Sequence, residues 1–336
     1  MRTTKRFFTR NEFYLVIIIV MYSIIVAIKN PAFLSFENFF DLLRAASGKL
    51  LLALGVLVVL ISGGIDVSFT AIAIFGGYAS ARLMLATGID SLAFAFLVSV
   101  AIGFILGAIN ALIIHFFRLP TLIATLGTSS VFFGLMTILV GTKSINAGQM
   151  PSSIINFGSA RLFEAVAPSG NTYGLSAFII PVVIAIFVTW FILYRTLLGR
   201  GIFALGNSEE SAKRVGFNLF LIRFFVYTYV GLLAGIMGVV YVAEVRWVNP
   251  VSLVGTELSI IAAAVIGGAK LTGGEGTILG TILGITIIQL LYSTLVFLGL
   301  SSSWNDLFVG VILLISVSIT SYQQRLKSRR NLTFSD

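Results

Sequence analysis

Long apolar runs broken by short polar stretches run the length of the chain. A run of roughly 17–25 mainly apolar residues crosses a bilayer as a helix. The pattern predicts about ten such spans, near 12–29, 42–62, 67–86, 91–115, 120–140, 176–194, 220–243, 258–269, 276–298 and 304–321. The eighth is too short to cross alone. The second opens on the polar stretch Asp41 to Lys49, so its outer end is expected to be amphipathic or to face protein. Residues 141–174 read as a long polar loop holding Lys143, Asn146, Gln149, Arg161, Glu164 and two prolines, and 244–257 as a second polar break.

Composition agrees with the pattern. Hydrophobic residues make up 58% of 336 and charged residues 10%, against about 25% charged in a soluble domain; mean hydropathy is +1.04. The expected fold is an all-α polytopic membrane protein, because lipid forces backbone polar groups to pair internally. Residues 1–336 form one transmembrane domain, and 322–336 a basic tail. There are no cysteines and one histidine, His115, which excludes thiol and disulfide chemistry and a multi-histidine metal site. No cofactor is expected.

The formal charge of +9 needs no nucleic acid, because basic residues gather on the cytoplasmic side of membrane proteins. With the N-terminus inside, Lys29, Arg44, Lys49, Arg82, Lys143, Arg161 and Arg246 fall on outer segments. The other 15 of the 22 Lys and Arg fall on inner ones. This bias predicts an even number of spans with both termini cytoplasmic. The first span follows four basic residues, as in a signal peptide, but no small-x-small cleavage site follows it, and Lys29-Asn30-Pro31 reads as a loop after a retained span.

The longest polar interruption in the second half is 198–219, between spans and on the cytoplasmic side. Glu209 to Val215 reads as a helix with two acids early and two bases late, an order that suits the helix dipole. Gly206 and Asn207 sit where a helix start is expected, with Asn207 or Ser208 as N-cap, and Gly216 where it stops. A short capped helix between two spans is either a docking element or a solvated connection.

Two glycine clusters interrupt apolar sequence. In Ser62-Gly63-Gly64-Ile65-Asp66-Val67-Ser68, Asp66 lies near the start of the third span, where a charge is costly unless paired or capping. Capping is the first reading, substrate contact the second. In Gly267 to Gly276 the order needed for a phosphate loop is missing and no strand precedes it, so nucleotide binding is rejected. Gly276, Gly280 and Gly284 share a spacing of four, a helix-packing face. One Gly-broken helix in each half is a pattern associated with transport sites.

These stretches together resemble the sugar permeases of ribose-type ABC importers. Gly63-Gly64-Ile65-Asp66-Val67-Ser68 is similar to their G-G-I-D-L-S motif, and Pro120 to Thr128 to their P-x-x-x-x-T-L-G stretch. Gly199 and Arg200, then Gly206 to Ala212 and on to Gly216, look like their G-R…G-x-N…G cytoplasmic loop. Ile266-Gly267-Gly268 with Gly273-Gly274-Glu275-Gly276-Thr277 resembles their I-G-G…G-G-x-G-T signature. The resemblance runs from about 45 to 320 in the same order. Trp304-Asn305-Asp306 resembles members that carry autoinducer-2, and the GGID form resembles monosaccharide members.

The resemblance implies about ten spans related to vitamin B12-type (type II) importers and a permease dimer, homo- or heteromeric. It implies a cytoplasmic ATPase with tandem nucleotide domains or in two copies, an extracytoplasmic sugar-binding protein, and the bacterial inner membrane as location. Transport would be driven by the separate ATPase, so the chain itself is expected not to be an enzyme. The 198–219 stretch would be the coupling segment, with Gly199, Arg200, Gly206, Asn207, Glu209, Glu210, Ala212 and Gly216 its characteristic residues. One departure is Phe69-Thr70, where the family usually has Val-Gly; it changes the bulk beside Asp66.

Pathway candidates are Asp66, Phe69, Asn110, Thr125 and Asn305; for the last three, interhelical hydrogen bonding is the plainer role. Two rivals stand against the sugar reading. A branched-chain-amino-acid-type ABC permease shares the architecture but usually lacks GGID. A secondary transporter would need intramembrane carboxylates, whereas Glu244, Glu257 and Asp306 are expected near the outer surface.

Overall fold

The structure is a computed structural model that describes residues 11–167, 170–295, 297, 299–301, 303–312, 314, 315 and 318. The basic residues Arg2, Lys5, Arg6 and Arg10, the tail 322–336 and part of the expected span 304–321 lie outside the described residues. Residues 304–312 of that span are helical.

Nearly every apolar run forms a helix. These are α1 (Asn11–Lys29), α2 (Phe36–Ile61), α3 (Phe69–Thr87), α4 (Leu92–Phe117), α5 (Thr121–Leu139), α6 (Ser152–Ser159), α7 (Ile179–Arg195), α8 (Leu197–Asn207), α9 (Glu209–Arg214), α10 (Leu219–Val245), α11 (Glu257–Ile266) and α12 (Ile278–Thr294). Among the described residues six helices are long and apolar enough to cross a membrane. A seventh crossing is formed if α7 and α8, bent by 75° to one another, count as one. The chain is a mostly helical polytopic membrane protein.

α2 starts at Phe36, not near 42, because Ser35 caps it: its hydroxyl accepts a hydrogen bond from the Asn38 amide at 3.2 Å. The polar stretch Asp41 to Lys49 is therefore inside the helix. α2 and α3 are largely buried, and α10 packs on both and on α4. α1 instead bares Ile17, Ile18, Met21, Ile24 and Ile25, the apolar exterior expected of a lipid-facing helix. Where α4 crosses α10, a Cβ on Gly103 would lie 2.1 Å from the Gly231 carbonyl oxygen, and a Cβ on Gly231 would lie as close to that of Gly103. Small residues let the two backbones touch, the usual device for packing helices in lipid.

The expected loop 141–174 is folded. It contains α6 and a two-stranded antiparallel hairpin, β1 (Arg161–Val166) with β2 (Thr172–Ser176). A carboxylate from the connection between α3 and α4 satisfies the start of α6. The Asp90 carboxylate accepts from the Ser152 and Ser153 amides at 3.0 and 2.9 Å at the start of α6. Hydrogen bonds from Ser152 and then Ser153 hold its pKa down to about 2, so it is ionised at neutral pH. Ile145 and Val248 form an antiparallel bridge that ties this region to the break after α10.

Candidate functional site

Two places bring the singled-out residues together. The first is the 198–219 stretch, which is two helices. α8 is capped by Thr196, whose hydroxyl accepts from the Gly199 amide at 3.1 Å. Gly206 and Asn207 end α8 instead of starting the next helix; the Asn207 amide group turns back and donates to the Phe203 carbonyl at 2.8 Å. Ser208 is the N-cap of α9, accepting from the Ser211 amide at 3.2 Å. Gly216 follows the last turn at φ +91°, and its amide and that of Phe217 donate to Lys213 and Ala212 carbonyls. Only glycine reaches that φ without strain.

On α9 only Ala212 is buried; Glu209, Glu210, Ser211, Lys213 and Arg214 are exposed, as is Arg200 on α8. Glu210 pairs with Arg214 along the helix, and Glu209 reaches Arg223 of α10 at 2.6 Å. The short helix is thus held by one buried methyl group and one ion pair, with its charged face free among the described residues.

Gly206 sits in a junction of three segments. The Gly274 amide donates to the Ile61 carbonyl at 2.9 Å, and a Cβ on Gly206 would lie 1.8 Å from that carbonyl oxygen and 2.6 Å from the Gly274 nitrogen. Both glycine clusters read from the sequence therefore converge on the end of α8. Beside the junction is a cleft of about 660 Å³, lined by Gly63, Gly64, Arg118, Thr121, Glu209 and Arg223 among others. Gly276 packs on Leu57 and Ile61 of α2, and Gly280 and Gly284 on the backbone of Gly267 and Ala263.

The second place is the extended segment 65–68. Asp66 does not cap α3. Its Oδ1 accepts from both the amide and the hydroxyl of Ser68 at 2.7 Å, a local turn, and Ser68, the residue at the N-cap position, makes no side-chain cap bond. Asn110 of α4 donates to the Ser68 hydroxyl at 2.7 Å. Thr121 and Thr125 of α5 accept from the Ile65 and Val67 amides at 2.9 and 3.3 Å. Asp66, Asn110 and Thr125 are thus one buried network, in which Asp66 Oδ2 and Asn110 Oδ1 have no hydrogen-bond partner. Phe69 is buried beside it. Asn305, also buried with an unpartnered Oδ1, is not linked to this network by any hydrogen bond.

Removing the Asp66 carboxylate strands a buried amide. Asp66→Ala is expected to lower stability by about 1–3 kcal/mol, the cost of an unsatisfied buried donor. Asp66→Asn, which keeps an acceptor for Ser68, should lose less. Thermal unfolding of the purified variants in detergent would check this; equal melting points for the two would contradict it.

Sequence reading missed two groups. Tyr227 of α10 is buried between Thr121 and Asp66, with nothing in its local pattern to mark it. Glu257 starts α11, whose last residue Ile266 accepts from the Asn11 amide group, and its Oε1 accepts from the Thr70 hydroxyl at 2.5 Å.

Residues 38–317 match the family described as branched-chain amino acid transport system / permease component. The chain is 31% identical over 326 residues to the autoinducer 2 import system permease protein LsrC of Enterobacter sp. (strain 638), covering 93% of this chain and 89% of that one. It is 29% identical over 325 residues to the ribose import permease protein RbsC of Escherichia coli (strain K12), covering 95% and 98%. It is 31% identical over 323 residues to the probable ABC transporter permease protein y4mJ of Sinorhizobium fredii (strain NBRC 101917 / NGR234), covering 96% and 91%. No solved structure matches.

Proposed function

This chain belongs to the family of branched-chain amino acid transport system permease components, and we propose that it is the membrane permease subunit of an ABC importer for a monosaccharide or a similar small polyol such as autoinducer-2. The observation that carries this reading is likeness over almost the whole length to permeases named for ribose and autoinducer 2 import. Those names favour the sugar reading over an amino-acid substrate. The protein is multi-pass and lies in the bacterial inner membrane.

In this reading the permease acts as a homo- or heterodimer of about ten spans per chain, with the vitamin B12-type architecture. A cytoplasmic ATPase, in tandem or in two copies, supplies the energy, and an extracytoplasmic sugar-binding protein delivers the solute. α9, with Glu209, Glu210 and the Gly216 stop, is the coupling element that docks on the ATPase, one per permease chain. Its exposed charged face, its tie to α10 through Arg223 and the tie of the preceding α8 to α2 through Gly206 support that role. Purifying the permease with its neighbouring gene products and reconstituting them in vesicles tests the reading: ATP-driven uptake of D-ribose or another sugar is expected. A complex that moves only branched-chain amino acids would overturn it.

Orientation can be read separately. Both termini and 198–219 are expected in the cytoplasm and 141–174 outside. Because the chain has no cysteine, a single Ser211→Cys is a clean reporter. It should react with an impermeant maleimide in inverted vesicles and not in intact cells, and labelling from outside would reverse the topology.

A further inference from the structure

We propose that Lys49, Gln289, Tyr292 and Glu244 line a water-filled recess that descends from the outer face to mid-depth, and that this recess is the surface over which the solute's hydroxyl groups pass. The second half of this statement rests on the sugar-import reading; the first does not.

Lys49 carries the argument. It is twelve residues before Ile61 on α2, roughly 18 Å above the inner end of that helix and so near the middle of a bilayer about 30 Å thick. A cation at that depth must face protein or water. Its ammonium donates to Gln289 Oε1 at 2.7 Å and lies 4.4 Å from the centre of the Tyr292 ring. Both partners are neutral. Lys49 forms no ion pair among the described residues. Glu244 is near enough for its charge to act on Lys49 and on Arg44 but forms no salt bridge with either among the described residues. Lys49, Tyr292 and Glu244 are partly buried, and Gln289 is buried. A half-open cation with a spare carboxylate nearby is costly as a closed structural core, and it is what a hydrated wall requires.

The neighbours extend this wall in both directions. The Tyr292 hydroxyl is near Ser259 of α11 and near Asp306, which is exposed. Arg44, nearer the outer end of α2, donates to the Gly158 carbonyl at 2.9 Å. At the deep end, Thr70 and Glu257 meet at the starts of α3 and α11. Carboxylates, an amide, an ammonium and an aromatic face on four helices are groups that pair with hydroxyls and stack on the C–H face of a polyol. None of them falls in a motif.

Single cysteines at Lys49, Glu244 and Tyr292, all partly exposed, test the recess, with Thr281→Cys and Ala262→Cys, both fully buried, as controls. The first set should react with an impermeant cationic methanethiosulfonate from outside on the order of ten times faster than the controls, because the reacting thiolate forms where water reaches it. Membrane abundance of each variant is measured first, and three independent positions guard against one that does not fold. Reaction no faster than the controls, or only in inverted vesicles, overturns the recess. With the partner proteins reconstituted, modification at Tyr292→Cys should abolish ATP-driven D-ribose uptake while ATP hydrolysis continues; full uptake by the modified protein overturns its role in passage. Absence of uptake by the unmodified parent chain would instead sink the sugar reading and leave the labelling result standing.

Discussion

Gly206→Leu is expected to remove most of the protein from the membrane fraction, and what remains should melt well below the parent. The reason is the junction at the C-terminal end of α2. A side chain at 206 would start 1.8 Å from the Ile61 carbonyl oxygen and 2.6 Å from the Gly274 nitrogen, the two atoms of a backbone hydrogen bond of 2.9 Å. Overpacking a core costs about 1–3 kcal/mol where side chains can move aside. Here the obstruction is backbone, so the cost should reach the upper end of that range or exceed it. The matched control is Gly127→Leu on α5, where nothing lies within 4 Å of the added Cβ; it should be tolerated. If Gly206→Leu accumulated and melted like Gly127→Leu, the three segments would not meet as described.

Charge reversal at Glu209 and Glu210 should have the opposite profile, with normal abundance and lost transport. Glu210 and Arg214 are each 76% exposed, and such pairs contribute about 0–1 kcal/mol. Glu209 and Arg223 form a less exposed pair, so Glu209→Lys puts two cations together, and Glu209→Lys with Arg223→Glu restores the attraction. Neither change touches a membrane-facing residue. A collapse of ATP-driven uptake at unchanged abundance, not restored by the Arg223 swap, would therefore support the proposal that the exposed face of α9 docks on the ATPase. Gly216→Trp should act likewise. It forces a non-glycine residue to φ +91° at about 1–2 kcal/mol, into open space. Gly216→Asn, better suited to that backbone, should be milder. Uptake, ATP hydrolysis and abundance measured together decide. Normal uptake in the double reversal and in Gly216→Trp would reduce α9 to a connecting turn.

Much of this architecture was legible in the sequence because lipid leaves the chain few choices. Apolar runs became helices nearly where hydropathy put them, and the charge order of Glu209 to Arg214 with its flanking Ser208 and Gly216 located α9. Other parts were hidden for physical reasons. The region 141–174 looked like a loop because its residues satisfy each other across distance, as Asp90 does with Ser152, and local periodicity does not record that. α8 was missed because its glycines, which bring it against Ile61 and Ile222, read as helix breakers. Asp66, Asn110 and Thr125 each stood out as polar residues in apolar sequence, but their meeting depends on helix packing. Lys49 was assigned to an outer end because α2 begins at Phe36, ahead of where hydropathy put it.

The course of α2 has a mechanical consequence. It is one uninterrupted helix from Phe36 to Ile61, pinned at its inner end by the Gly274 amide and crossed tightly at Gly55 by the Val230 side chain and backbone of α10. Six residues separate Ile61 from Gly55 and eleven separate Gly55 from Arg44, arms of roughly 9 and 16 Å. A rod pivoting at Gly55 would turn a push of about 1 Å at the inner junction into a swing of nearly 2 Å at Arg44, in the opposite direction, with Lys49 moving about as far as the push itself. If the proposed coupling role holds, the helix that would receive displacement at its Ile61 end is geared to magnify it at its Arg44 end.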